Sequence, residues 1–167
     1  MTNLNAANAP PSRPGRFLGL RLGASRYGIP VAQVREIIVM CSVTEVPRMP
    51  AHIRGVINLR GTVVPVVGLR ERFGMPPLAD EARACIVVLQ PLGTARPGSL
   101  VGAIVDAVDE VIALADSDIG PPPEFGGQFD VRHISGIATR NGNVHTLLDV
   151  AHIFDPELNS TTLRTTP

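Results

Sequence analysis

An all-β fold, a small barrel or sandwich, is what this sequence predicts, and three observations predict it. Short runs rich in Val and Ile recur along the chain, and β-branched residues favour strands. Sixteen Gly and sixteen Pro in 167 residues punctuate those runs at close spacing. The intervals between runs leave little room for the crossover helices that βαβ units need.

Each run has its own justification. In FLGLRL, Leu18, Leu20 and Leu22 alternate with Phe17, Gly19 and Arg21, the period of a half-buried strand. GASRYG reads as a turn, and Pro30 in YGIPVAQV excludes a long helix and suits a strand edge. REIIVM follows, then VTEVPRMP, where Pro50 pushes Met49 toward an extended conformation. Gly55, Gly61, Gly68 and Gly74 divide GVINLRGTVVPVVGLRERFG into strand-like pieces, and LRERF fits one helical turn. ACIVVLQ is a run of buried-strand type. LVGAIVDAVDEVIALA places Ile104, Val108, Val111 and Ile112 at helical spacing, yet its β-branched content argues for two strands with a kink near Asp106. DIGPPPEFGGQF reads as a loop. HISGIATRNGNVHTLLDV reads as a hairpin around Asn141-Gly142, because both residues tolerate positive φ. LLDVAHIF fits a short closing helix that ends before Pro156. Residues 1–15 read as a disordered arm and 156–167 as a tail, with the folded domain at 16–155.

Composition narrows the functional classes. The formal net charge is +0, and aromatic residues make up 4% of the chain. This is neither a basic face nor a stacking platform for nucleic acid. All fifteen basic residues are Arg. The start lacks an apolar signal region, and no run approaches the roughly 18 apolar residues of a membrane span. A soluble, cytoplasmic protein without direct membrane insertion is expected. Cys41 and Cys85 form no C-x-x-C motif and read as two buried thiols in a reducing compartment.

The motifs of catalysis are missing from the sequence. It carries no phosphate-binding loop and no H-E-x-x-H. His52, His133, His145 and His152 are scattered and read as structural or surface residues. Ser135, His145 and Asp149 lack a nucleophile elbow. Asp106, Asp109 and Glu110 read as a solvated strand edge. No catalytic residue, metal site or cofactor is expected; a chain rich in turns and backbone approaches offers surfaces.

YGIPVAQVREI and TEVPRMPAHIRGVINLRGTVVPVVGLRERFG closely resemble the CheW family. VGAIVDAVDEV, IGPPPEF and ISGIATRNGNVHTLLDV follow in that family's order, so the resemblance spans roughly residues 16–155. It implies two small five-stranded SH3-like barrels packed together, with short helical turns. It also implies a non-catalytic adaptor bridging the cytoplasmic tip of methyl-accepting chemoreceptors and the regulatory domain of a CheA-type histidine kinase, within membrane-bound receptor arrays. The same role in a pathway for pili, surface behaviour or a second messenger fits equally, and a ligand-sensing β-barrel is a more distant alternative. The family's partner-contacting positions fall on Val34, Glu36, Gly55, Asn58 and Arg60. Val34 would be an apolar contact between the barrels, or core. Gly55 would admit a partner helix to the backbone. Arg60 would pair with Glu36, bond receptor groups, or hold a turn. Two departures stand out: Gly68 replaces the usual Asp before Leu-Arg, with a small expected cost in helix capping, and the C-terminal helix is short.

Overall fold

The computed structural model describes residues 14–92, 98–122 and 131–153. The expected terminal arm and tail lie almost entirely outside these residues, as do residues 123–129 of the expected loop DIGPPPEFGGQF. Among the described residues eleven strands form two sheets. The first sheet takes strands from both ends of the described chain: β1 (Gly15–Leu22), β2 (Ser25–Pro30), β8 (Ala107–Leu114), β9 (Ile119–Gly120), β10 (Ile134–Arg140) and β11 (Asn143–Leu148), in the order β8-β1-β2-β11-β10-β9. The second takes the middle of the chain: β3 (Val34–Val39), β4 (Ile53–Leu59), β5 (Thr62–Gly68), β6 (Cys85–Leu89) and β7 (Val101–Val105), in the order β3-β6-β7-β5-β4. One parallel pair sits in each sheet, β2 with β11 and β5 with β7. These are the two SH3-like barrels, each short of long helices: α1 (Leu69–Arg72) and α2 (Val150–Ile153) are single turns.

The local signals place most elements. The break at Asp106 separates β7 from β8, so β-branched content outweighs the helical spacing. Asn141 and Gly142 take φ values of 53° and 80° in a two-residue turn between Arg140 and Asn143. The first sheet gains a strand where a loop was expected, because Ile119 and Gly120 pair with Ala138 and Ile137 of β10.

Among the described residues three apolar clusters form the core. Phe17, Leu114, Ala138 and Leu147 fill the interior of the first barrel. Ile57, Val64, Val66, Ile86, Val88 and Ile104 fill the second. The largest cluster lies between them, where Leu18, Leu20, Leu22 and Ile29 of the first sheet meet Val67, Leu69, Val87 and Leu89 of the second. The alternation in FLGLRL thus sorts Phe17 into a barrel and Leu18, Leu20 and Leu22 into the shared core. Tyr27 stacks on Phe73 at 5.7 Å across this boundary, and Phe73 lies 5.9 Å from the His133 ring.

Some sequence expectations are corrected. Cys41 is exposed and Cys85 half-buried, both free, because Cys41 leaves the sheet after β3 and Cys85 opens β6. The acidic cluster is a solvated edge only in part: β8 ends its sheet and Glu110 is exposed, but the two aspartates are ion-paired. Asp106 pairs with Arg70, and Asp109 sits 2.8 Å from Arg21 and 3.6 Å from Arg26. At Gly68 the missing cap has a local cause. A Cβ there would meet Glu71 Oε1 at 2.2 Å, so the Glu71 carboxylate occupies the space an Asp side chain would take. That Glu71 carboxylate also contacts Arg54 at 3.1 Å.

Candidate partner-docking surface

Val34 opens β3 opposite Leu89 and lies half-buried on the margin of the shared core. A bulge between Val34 and Glu36 then changes the face of the strand. Ile38 accordingly packs on the second-barrel interior, whereas Val34 packs between the barrels. Gln33 secures the entry to β3: its carbonyl accepts the Gln90 N–H at 2.8 Å and its side-chain oxygen accepts the Leu92 N–H at 3.1 Å.

Arg60 and Gly61 form the two-residue turn between β4 and β5, with Leu59 opposite Thr62. Both take positive φ, 49° and 89°, the hand that matches the twist of a tight hairpin. Asn58 Oδ1 accepts the Gly61 N–H at 2.8 Å and braces the turn. An Arg in the left-handed region carries a backbone cost of about 1–2 kcal/mol. From this tip its guanidinium forks onto the Glu36 carboxylate of β3, through Nη1 to Oε2 at 3.3 Å and through Nη2 to Oε1. The hydrogen bonds from Arg60 hold the Glu36 carboxyl below the usual carboxylate range, and the same bonds raise the Arg60 guanidinium. The Arg60 side chain is 72% exposed and Glu36 30%. The pair therefore stands open to a competing carboxylate or guanidinium.

Gly55 has a different use from the one expected. It is buried, with φ 142°, and a Cβ there would stand 2.1 Å from the Thr44 carbonyl oxygen. The close backbone approach is made by the chain itself, where Thr44 and Val56 exchange N–H···O bonds at 2.9 Å. Thus Asn58 and Arg60 shape one hairpin tip, Arg60 reaches Glu36 on β3, Val34 lies two residues before Glu36 on that strand, and Gly55 anchors the segment after β3.

That segment builds a feature that the sequence did not single out. Met40, Val43, Val46, Met49 and Pro50 line an open groove of about 950 Å³. Arg54 lies at its floor, donating to Glu81 at 2.7 and 2.8 Å and to Glu71 at 3.1 Å. The Arg54 bonds lower the Glu81 carboxyl. The one available signal was apolar Met40, Val43, Val46 and Met49 around Pro47, in a stretch without strand alternation.

Ser135 and Asp149, two of the three side chains weighed for catalysis, make hydrogen bonds to groups other than His145. Ser135 Oγ donates to the Leu147 carbonyl at 3.3 Å, and Asp149 contacts His152 Nδ1 at 2.8 Å while accepting the His152 N–H. His145 is buried, and that burial lowers its pKa. Among the described residues no three His, Cys, Asp or Glu side chains gather as a metal site. No helix among them is long and apolar enough to cross a membrane.

Comparison with known proteins places this architecture. Residues 16–157 match the CheW-like domain family. The chain is 31% identical to the chemotaxis protein CheW of Rhizobium meliloti (strain 1021), over 92% of this chain and 96% of that one. It is 34% identical to protein FrzA of Myxococcus xanthus, over 83% and 81%. The crystal structure of the scaffolding protein TtCheW from Thermoanaerobacter tengcongensis superposes with a TM-score of 0.76 at 31% identity, covering 84% of this chain and 92% of that one.

Proposed function

Because the chain belongs to the CheW-like family of chemotaxis scaffold proteins, we propose that it couples the cytoplasmic tip of methyl-accepting chemoreceptors to the regulatory domain of a CheA-type histidine kinase. It works without catalysis or cofactor, in the cytoplasm, held at receptor arrays by protein contacts. The receptor surface comprises Val34, Glu36, Asn58 and Arg60, with Gly55 acting through the segment it anchors. The observation that carries this reading is the Arg60–Glu36 fork. An Arg held in a costly backbone conformation presents an exposed, rigid donor pair beside the half-buried Val34. Backbone strain concentrates where geometry serves function, and Arg forks suit planar recognition of carboxylates.

Titration with the kinase regulatory domain and with a receptor-tip helical hairpin tests the proposal. Saturable one-to-one binding to each is expected. Val34→Arg should abolish receptor binding, because an unpaired charge at an apolar contact opposes docking, while the variant stays folded by circular dichroism. Normal receptor binding by folded Val34→Arg would remove Val34 from the surface. A folded wild-type protein that binds neither partner would overturn the coupling role.

A further inference from the structure

Three elements converge on Asp106. This residue is the bend at which the chain leaves the second sheet at Val105 and enters the first at Ala107. Its carboxylate receives Arg70 Nε at 2.8 Å on one oxygen and Arg70 Nη2 at 2.6 Å on the other. The second oxygen also accepts the Gly23 N–H at 2.6 Å. Arg70 belongs to α1, which follows β5 of the second barrel, and Gly23 to the turn between β1 and β2 of the first. Two further bonds lock the joint: Arg70 Nη1 donates to the Pro76 carbonyl at 2.6 Å, and the Asp106 N–H donates to the Arg21 carbonyl at 3.0 Å. The two side chains are 15% and 16% exposed, far less than the Arg60–Glu36 pair.

Apolar burial draws the barrels together but sets no direction. A two-pronged guanidinium–carboxylate contact sets direction as well as distance. Its position gives it leverage. In the register of β6 with β7, Cys85 faces Val105 beside the joint, while Leu89, the partner of Val34, faces Val101. Four residues of strand, about 13 Å, separate the two ends. A small rotation of one barrel about the joint is therefore felt at Val34.

We propose that the Arg70–Asp106 pair, closed by the Gly23 N–H, is a positioning clamp: it fixes the angle between the barrels, and through that angle the shape of the receptor-docking margin around Val34. This deepens the receptor-coupling reading and rests on it for the affinity effect alone. Neither residue touches the partner.

Two variants of the full chain test it, Asp106→Asn and Asp106→Ala, with Ile86→Val as a stability control inside the second barrel. Residual dipolar couplings of the backbone amides report the relative orientation of the sheets, and titration reports affinity for the receptor-tip hairpin. The expected result is a changed inter-sheet orientation in both Asp106 variants, with an affinity loss of about tenfold, in the usual range for coupling between distant sites. Ile86→Val should lower the melting temperature and leave both readouts unchanged. Native orientation and affinity in folded Asp106 variants would reduce the pair to an ordinary ion pair. Equal affinity loss in Ile86→Val would reduce it to a contribution to stability. If wild-type protein binds no receptor tip, the coupling reading falls and the orientation data alone decide the clamp.

Discussion

Arg60 occupies a backbone position that Gly or Asn would fill at lower cost. Among the described residues only Arg48, Arg60 and Asn141 combine a side chain with positive φ, and Asn141 is the type such turns prefer. Arg60→Asn separates the two roles of the position. The turn keeps its left-handed residue while the fork onto Glu36 is lost. We expect unchanged or raised thermal stability, together with a loss of receptor-tip affinity of roughly ten- to a hundredfold, the scale of one charge-assisted contact of about 1.5–3 kcal/mol. A folded Arg60→Asn protein with wild-type affinity would make the fork dispensable. Gly55 is a residue of the opposite kind, fixed by its own chain. Gly55→Ala should cost on the order of 3 kcal/mol, through left-handed strain and the clash with the Thr44 carbonyl. Urea denaturation reads the loss, and a change under 1 kcal/mol would argue against the packing described. The sequence carried these five positions through family resemblance alone. It did not show that Arg60 sits in a two-residue turn, because Arg-Gly is a weaker hairpin signal than Asn-Gly. Nor did it show which backbone approaches Gly55, because Thr44 is eleven residues away.

At the scale of elements, ion pairs tie short pieces of structure that propensity alone would not hold. The turn α1 has four residues and no side-chain cap, so its place depends on Arg70 and Glu71. The Asp106 carboxyl is held below its ordinary range, first by the hydrogen bonds from Arg70 and also by the Gly23 N–H. A folded-state pKa below the unfolded one stabilises the protein above the unfolded value, and that stabilisation is lost as the pH falls through the folded one. The stability gap between wild type and Asp106→Asn should therefore be full at pH 7 and close as the pH falls below about 4, the ordinary aspartate range. Denaturation midpoints measured from pH 7 to pH 2.5 check this. A constant gap would mean that the charge on Asp106 is not what holds the joint. Element types were largely legible: β-branched content settled the break at Asp106, and the pattern of FLGLRL survived as strand β1. The acidic residues around that break read as solvated, because their arginine partners lie far off in sequence, Arg70 thirty-six residues away and Arg21 eighty-eight.

At the scale of the molecule, the largest core among the described residues draws on both sheets and belongs to neither barrel. Leu20 is fully buried among residues of both sheets. Leu20→Ala should cost about 2–5 kcal/mol, the usual range for a buried leucine. It should also accelerate amide exchange in both sheets together. Faster exchange confined to β1 and its neighbours would show that the barrels unfold independently.

Sequence by itself determined the all-β class, the short strands, the Asn141-Gly142 hairpin and the family, since each depends on alternation, turn chemistry or an ordered set of motifs along the chain. Through the family resemblance it also supplied the five positions proposed above as the docking surface. Tertiary structure alone decided that the first barrel is assembled from both ends of the described chain around the second. It decided that Leu18, Leu20 and Leu22 serve the space between barrels, and that Asp106 joins Arg70 to Gly23. The reason is physical. Alternation marks which residues are buried, but burial is non-directional and does not say against what. The partners across both parallel strand pairs and the Asp106 joint are brought together only when loops of tens of residues close.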